Sequence, residues 1–131
     1  MFTMTLQPRF SETDALGHIN NTVIPVWFES ARDPVFRIFN ASLDLDSWNL
    51  IIAKIEVNYS AQIQYQAQVE IRTSIKKVGN SSFTVFQQVF QADQCVAFGE
   101  CIMVKFDYVT NKSAAITDEE QAELNKQPIE L

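Results

Sequence analysis

The residues Arg9–Asn21, RFSETDALGHINN, concentrate the chemistry of this chain: its one histidine, His18, two acids, Glu12 and Asp14, a glycine, Gly17, and the pair Asn20 and Asn21. A carboxylate can attack a carbonyl carbon or activate a water for that attack. Equally, an Asp here can do no more than cap a turn. An imidazole beside it can act as a second base, protonate a leaving group or hydrogen-bond the acid, or it can simply order the loop. Gly17 permits a tight turn and close approach of a substrate. Asn20 and Asn21 can cap a following helix, orient a water or touch a ligand. Glu12 reads as facing solvent, or as paired with Arg9 or Arg32. A lone histidine does not make a metal site, and no serine stands in the context of a Ser-His-Asp triad, so no metal is expected.

The flanking elements explain why this stretch is placed to react. Phe2, Met4 and Leu6 alternate with Thr3, Thr5 and Gln7, which predicts a first strand, and Pro8 marks it as an edge or bulged one. From Asn21 the period becomes helical, with Val23, Val26 and Trp27 recurring at that spacing. Pro25 is tolerable only in the first turn. Asp33-Pro34 predicts a kink or fresh helical segment through Phe39. A helix start at Asn21 offers free N–H groups and a positive dipole end, which favour an ionised acid and stabilise developing negative charge. Arg32, inside a largely buried helix, calls for a carboxylate partner, and Glu29 is one candidate.

Four strands follow residues 41–49. In the first, Ile51, Ala53, Ile55, Val57 and Tyr59 are expected on one face, against Lys54, Glu56, Asn58 and Ser60. VEIRTSIKKV comes next, then a hairpin at GNSS in which Gly79 and Asn80 are able to take positive φ. FTVFQQVFQ and CVAFGECIMVKFDY carry apolar residues on two faces, as central strands do, and Gly99 signals a bulge or the close approach of another backbone. Thr117 and Glu120 form a capping box for a final short helix. One helix followed by consecutive hairpins predicts an α+β domain in which a curved antiparallel sheet wraps a long central helix. Pairing through an edge strand would manage the open sheet edges.

With 131 residues, residues 1–131 read as a single domain. Apolar content is 47%, charged content 20% and the formal charge −6, values of an ordinary globular protein with no attraction for nucleic acid or anionic membrane. Cys95 and Cys101 read as free, buried thiols, since residues six apart on one strand are too distant to bridge. The N-terminus has no signal-peptide character, and a cytoplasmic location is expected.

The pattern SETDALGHINNTVIPVWFESAR, with IKKVGNSSFTV as a second match, resembles hotdog-fold acyl-CoA thioesterases of the 4-hydroxybenzoyl-CoA thioesterase type, over nearly the whole chain. The resemblance implies hydrolysis of acyl-CoA or related thioesters without metal or cofactor, in a homodimer or homotetramer with the site between subunits. It places Asp14 as the catalytic carboxylate and the Asn21 backbone N–H as the group that polarises the thioester carbonyl, with His18 as a further catalytic candidate. Gly17, Asn20 and Ile24 are expected to bind substrate. Many members carry Tyr where this chain has Ile24, so the end of the pocket is expected to be more apolar. Lys76 and Lys77, with Gly79, Asn80, Ser81 and Ser82, are candidates to meet the phosphates of CoA, unless they form an ordinary solvated hairpin. A non-catalytic binding module for acyl-thioesters or acyl-carrier protein is the alternative on the same scaffold. A hydratase or dehydratase would want its histidine within the helix, and His18 precedes it.

Overall fold

The computed structural model describes residues 1–130. Strands β1 (Phe2–Leu6), β2 (Leu50–Tyr59), β3 (Val69–Val78), β4 (Ser82–Gln91), β5 (Gln94–Asp107) and β6 (Lys112–Ser113) form one sheet. Its order is β1-β3-β4-β5-β2, with β6 on β5, and all pairings are antiparallel. β1 is an edge strand, as Pro8 suggested, and β2 is the other edge.

Helices α1 (Val23–Ala31) and α2 (Asp33–Phe39) run against one face of the sheet and break at Arg32, one residue before the expected Asp-Pro kink. Trp27, Phe28 and Ala31 of α1 pack on Val69, Ile71, Val89 and Ala97, while Val35 and Phe39 of α2 pack on Leu50, Phe83, Val85 and Met103. Each large side chain withdrawn from water there stabilises the fold by about 1.5–3 kcal/mol, so the sheet and helices hold each other.

Arg32 is fully buried, but among the described residues it has no carboxylate partner. Its Nη1 donates to Gln87 Oε1 at 3.1 Å. Glu29 faces solvent while Arg32 turns to the sheet, so the expected pair does not form. Gln87 also donates to Phe28 O at 2.9 Å, satisfying a carbonyl near the break.

The single apolar face expected along β2 does not hold. Its register to β5 breaks between Ile52 and Lys54. Leu50 and Ile52 enter the core before the break, and Ile55, Val57 and Tyr59 take the inner face after it, opposite Cys101, Gly99 and Ala97. Ile51 is thereby left on the outer face, because one extra residue inverts the alternation. Gly99 answers to close approach: a Cβ there would lie 2.0 Å from Glu56 O.

Gly79 and Asn80 do not take positive φ; the hairpin that does is β4–β5, at Ala92 (50°) and Asp93 (62°). The Gly79–Ser81 connection closes instead through Gly79 N–H donating to Ser82 O at 2.7 Å. Helix α3 (Asp118–Asn125) begins with the expected box, Glu120 N–H donating to Thr117 Oγ1 and Thr117 N–H to Glu120 Oε1. Cys95 and Cys101 are free thiols. Among the described residues no helix is long and apolar enough to cross a membrane, and no group of three or more His, Cys, Asp or Glu is placed to hold a metal ion.

Candidate active site

The polar loop is built on a buried acid. Phe10–Glu12 form a turn of 3-10 helix that carries Glu12 inward, where it is 8% exposed, not in solvent. Glu12 Oε1 accepts Arg9 N–H at 2.8 Å, and Oε2 accepts the Trp27 indole N–H at 2.9 Å and lies 3.5 Å from the Arg9 guanidinium. Burial pushes this carboxyl up, but those donors together outweigh it and hold it below its ordinary value of 4.5. The solvent-facing reading fails because the loop needs an acceptor for Trp27, while the pairing with Arg9 is present.

Beyond Glu12 the chain doubles back. Asp14 N–H donates to His18 O at 2.7 Å, and Gly17 takes φ 81° to make the turn. Asp14 Oδ1 accepts Leu16 N–H at 2.7 Å and His18 N–H at 3.1 Å. Asp14 therefore does cap the turn, with one oxygen; among the described residues Oδ2 has no donor.

Asn20, rather than Asn21, satisfies the start of α1. Its Oδ1 accepts Thr22 N–H at 3.0 Å and the Thr22 hydroxyl at 2.9 Å, and its carbonyl accepts Val23 N–H at 3.0 Å. Among the described residues the Asn21 N–H donates to no acceptor. It belongs to the same amide whose carbonyl, on Asn20, is already polarised by Val23, which makes it a stronger donor.

A cavity of about 490 Å³ opens here, lined by Asp14, Ile19, Asn20, Asn21 and Ile24 on one side and by Tyr59–Ile63 on the other. It combines an acid with a spare oxygen, an unused helix-start N–H and an apolar wall, as addition to a carbonyl demands. Tyr59–Ile63 escaped the sequence reading. In sequence they only continue the alternation of the strand through Tyr59, Ala61 and Ile63, and what joins them to the loop, Ile19 N–H donating to Ile63 O at 2.9 Å, is backbone.

His18 and Gly17 do not line the cavity. His18 contributes backbone: it bonds Asp14 on both sides and bridges to Gln64, while its Nδ1 is buried without a partner among the described residues. Lys76, Lys77 and Gly79–Ser82 lie at the opposite end of the strands. Ser82 is seven residues along β4 from Val89, which pairs with Ala97 beside Tyr59, a span of roughly 23 Å. Lys76 pairs with Glu100, and the Asn80 and Ser81 carbonyls accept Ile116 and Lys105 N–H groups.

A curved antiparallel sheet around a helix, with a cavity at that helix's N-terminus, is the architecture of a hotdog domain. The chain belongs to the Thioesterase-like superfamily, whose family model matches residues 8–124. It is similar to a structure described as a predicted thioesterase from Bacillus stearothermophilus, with 35% identity, 99% of this chain and 98% of that one covered, and a TM-score of 0.95. A thioesterase from Thermus thermophilus, solved with coenzyme A and Zn, shares the fold at 24% identity, covering 93% of this chain and 95% of that one with a TM-score of 0.80. Among curated proteins, the uncharacterized YsmA of Bacillus subtilis (strain 168) is 29% identical over 118 residues, 88% of this chain and 80% of that protein.

Proposed function

We propose that this protein hydrolyses acyl-CoA thioesters to a free carboxylic acid and CoA, with Asp14 as base or nucleophile and the Asn21 N–H as oxyanion donor. One observation supports the reading: Asp14, whose Oδ2 has no donor among the described residues, and Asn21, whose N–H has no acceptor among them, line the same cavity. The thioester carbonyl binds with its oxygen toward Asn21, and Asp14 attacks the carbon or deprotonates a water that does. Negative charge growing on the oxygen meets a donor already fixed, which is worth several kcal/mol in a site that excludes water. Ile19, Ile24, Ala61 and Ile63 favour an apolar acyl group. The proposed reaction runs on protein groups alone, and His18 serves it by holding Asp14 from the backbone.

The working unit is a homodimer, or a tetramer built from it. β2 is an uncovered ten-residue edge with Ile55 and Tyr59 about half exposed, and the cavity opens beside it. A two-fold axis through that edge pairs β2 antiparallel with its copy. That arrangement brings the Lys76–Ser82 hairpin of the partner subunit to the cavity end, where its lysines can meet the CoA phosphates.

The test is thiol release from a panel of acyl-CoAs by the wild-type protein and Asp14→Asn. Release by wild type and none by the variant supports the reading. Binding without release from any thioester leaves the non-catalytic module, and oxygen-18 entering the enzyme in a single turnover distinguishes attack by Asp14 from activation of water.

A further inference from the structure

Helix α1 begins at Val23 with Thr22 in the cap position, and the sequence bars the helical bonding from extending one residue further back, to Asn21. In an α-helix the carbonyl of residue i accepts the N–H of residue i+4. For Asn21 that residue is Pro25, which has no N–H. The orphaned Asn21 carbonyl instead accepts the phenol of Tyr59, at 2.6 Å, from the last residue of β2. The following N–H, of Thr22, is held by Asn20 Oδ1, and Asn20 N–H by Glu12 O at 2.8 Å. The Asn21 N–H is thus bracketed by anchored groups, and Tyr59 is the anchor that comes from another element.

We infer that Tyr59 is a positioning residue for the oxyanion donor, filling the hydrogen bond that Pro25 removes and so fixing the Asn21 backbone at the cavity. The inference rests on the thioesterase reading and deepens it: donor placement depends on the end of the edge strand, across the cavity from α1. Tyr59 and Asn21 line the same cavity, so without the hydroxyl, water in the cavity reaches the Asn21 carbonyl. Water satisfies the carbonyl but does not fix it, and a donor misplaced by an ångström weakens catalysis much more than it weakens binding.

The experiment compares wild type, Tyr59→Phe, Pro25→Ala and Pro25→Ala/Tyr59→Phe in steady-state hydrolysis of an acyl-CoA, with oligomeric state checked for each. Tyr59→Phe is expected to lower kcat by about 10–100-fold with KM within about 2-fold of wild type. The double variant restores an N–H at position 25 and is expected to recover most of that kcat. An unchanged kcat in Tyr59→Phe overturns the inference and leaves the thioesterase reading standing. A loss that Pro25→Ala does not rescue also overturns it, since the phenol then acts on substrate or on association rather than through Asn21. No hydrolysis by wild type removes both readings together.

Discussion

The two ends of the sheet are both polar, but they use polarity differently. At the cavity end, Arg9–Asn21 and Tyr59–Gln64 are tied together by Ile19 N–H donating to Ile63 O, Tyr59 O–H donating to Asn21 O and the His18–Gln64 bridge, while Asp14 Oδ2 and the Asn21 N–H have no partner among the described residues. At the hairpin end, the Asn80 carbonyl accepts Ile116 N–H from the connection before α3 and the Ser81 carbonyl accepts Lys105 N–H of β5, Lys105 pairs with Glu120 of α3 at 2.7 Å, and Lys76 and Lys77 stay exposed. A reactive group must be held by structure that it does not itself complete. The cavity end meets that condition; the hairpin end offers exposed charge, suited to affinity rather than to chemistry.

The largest expected effect tests that contrast at its centre. Asp14→Asn keeps an oxygen for the Leu16 and His18 N–H groups, so the loop stays folded, but the amide is neither base nor nucleophile. Its kcat is expected to fall by about 10²–10⁴-fold with melting temperature little changed. A variant that melts early would show Asp14 to be structural like its neighbour.

That neighbour is the second case. Glu12→Ala leaves the buried Trp27 indole and the Arg9 N–H without their acceptor, a cost of about 2–3 kcal/mol in denaturant unfolding. The sign with pH follows from its lowered folded-state value. The unfolded chain binds the proton more tightly, so the contribution of Glu12 is complete above about 4.5 and is lost as pH falls through the folded value. Glu12→Gln should flatten this part of the acid limb of a stability–pH curve. The two carboxylates, two residues apart, should therefore separate cleanly: one variant loses rate, the other stability.

At the far end, Lys76→Ala/Lys77→Ala should raise KM for an acyl-CoA about 5–10-fold with kcat unchanged, as expected for about 1–1.4 kcal/mol of phosphate contact. Stability should barely move, because the Lys76–Glu100 pair is open to solvent, half exposed at the lysine and about one third at the acid. A fall in kcat instead would place this hairpin in the chemistry.

Periodicity and cap signals were enough for the long strands, the helix with its break near Asp33 and the α3 capping box. Asp14, Asn20, Asn21 and Ile24 were singled out by the resemblance to hotdog thioesterases, and all four line the cavity. What was not legible required contacts between elements. The β2 register break rests on pairing with β5. Glu12 looks solvated until Trp27 is folded over it. Arg32 was assigned a carboxylate because local spacing does not reveal Gln87, 55 residues away. Pro25 and Tyr59 are each inconspicuous in sequence, and they matter only once β2 lies beside the start of α1.

The hairpins give the smallest effect and the sharpest local form of the comparison. Glycine and asparagine at 79–80 invited a left-handed turn, yet the positive φ angles fall on Ala92 and Asp93. Strand pairing dictates this: Gln91 pairs with Gln94, leaving a two-residue loop, which demands positive φ at both positions to match the strand twist. The Gly79–Ser81 connection is longer and has no such demand. Alanine at φ 50° carries a penalty of about 1 kcal/mol that asparagine largely escapes. Ala92→Asn should therefore stabilise the fold by about 0.5–1 kcal/mol, raising Tm by about 2–4 °C with kcat and KM unchanged. Gly79→Ala should go the other way despite its ordinary φ, because the new Cβ would lie 3.2 Å from the Ser82 carbonyl oxygen. If Ala92→Asn destabilises instead, the left-handed turn does not lie at 92–93, and the register of β4 with β5 needs revision.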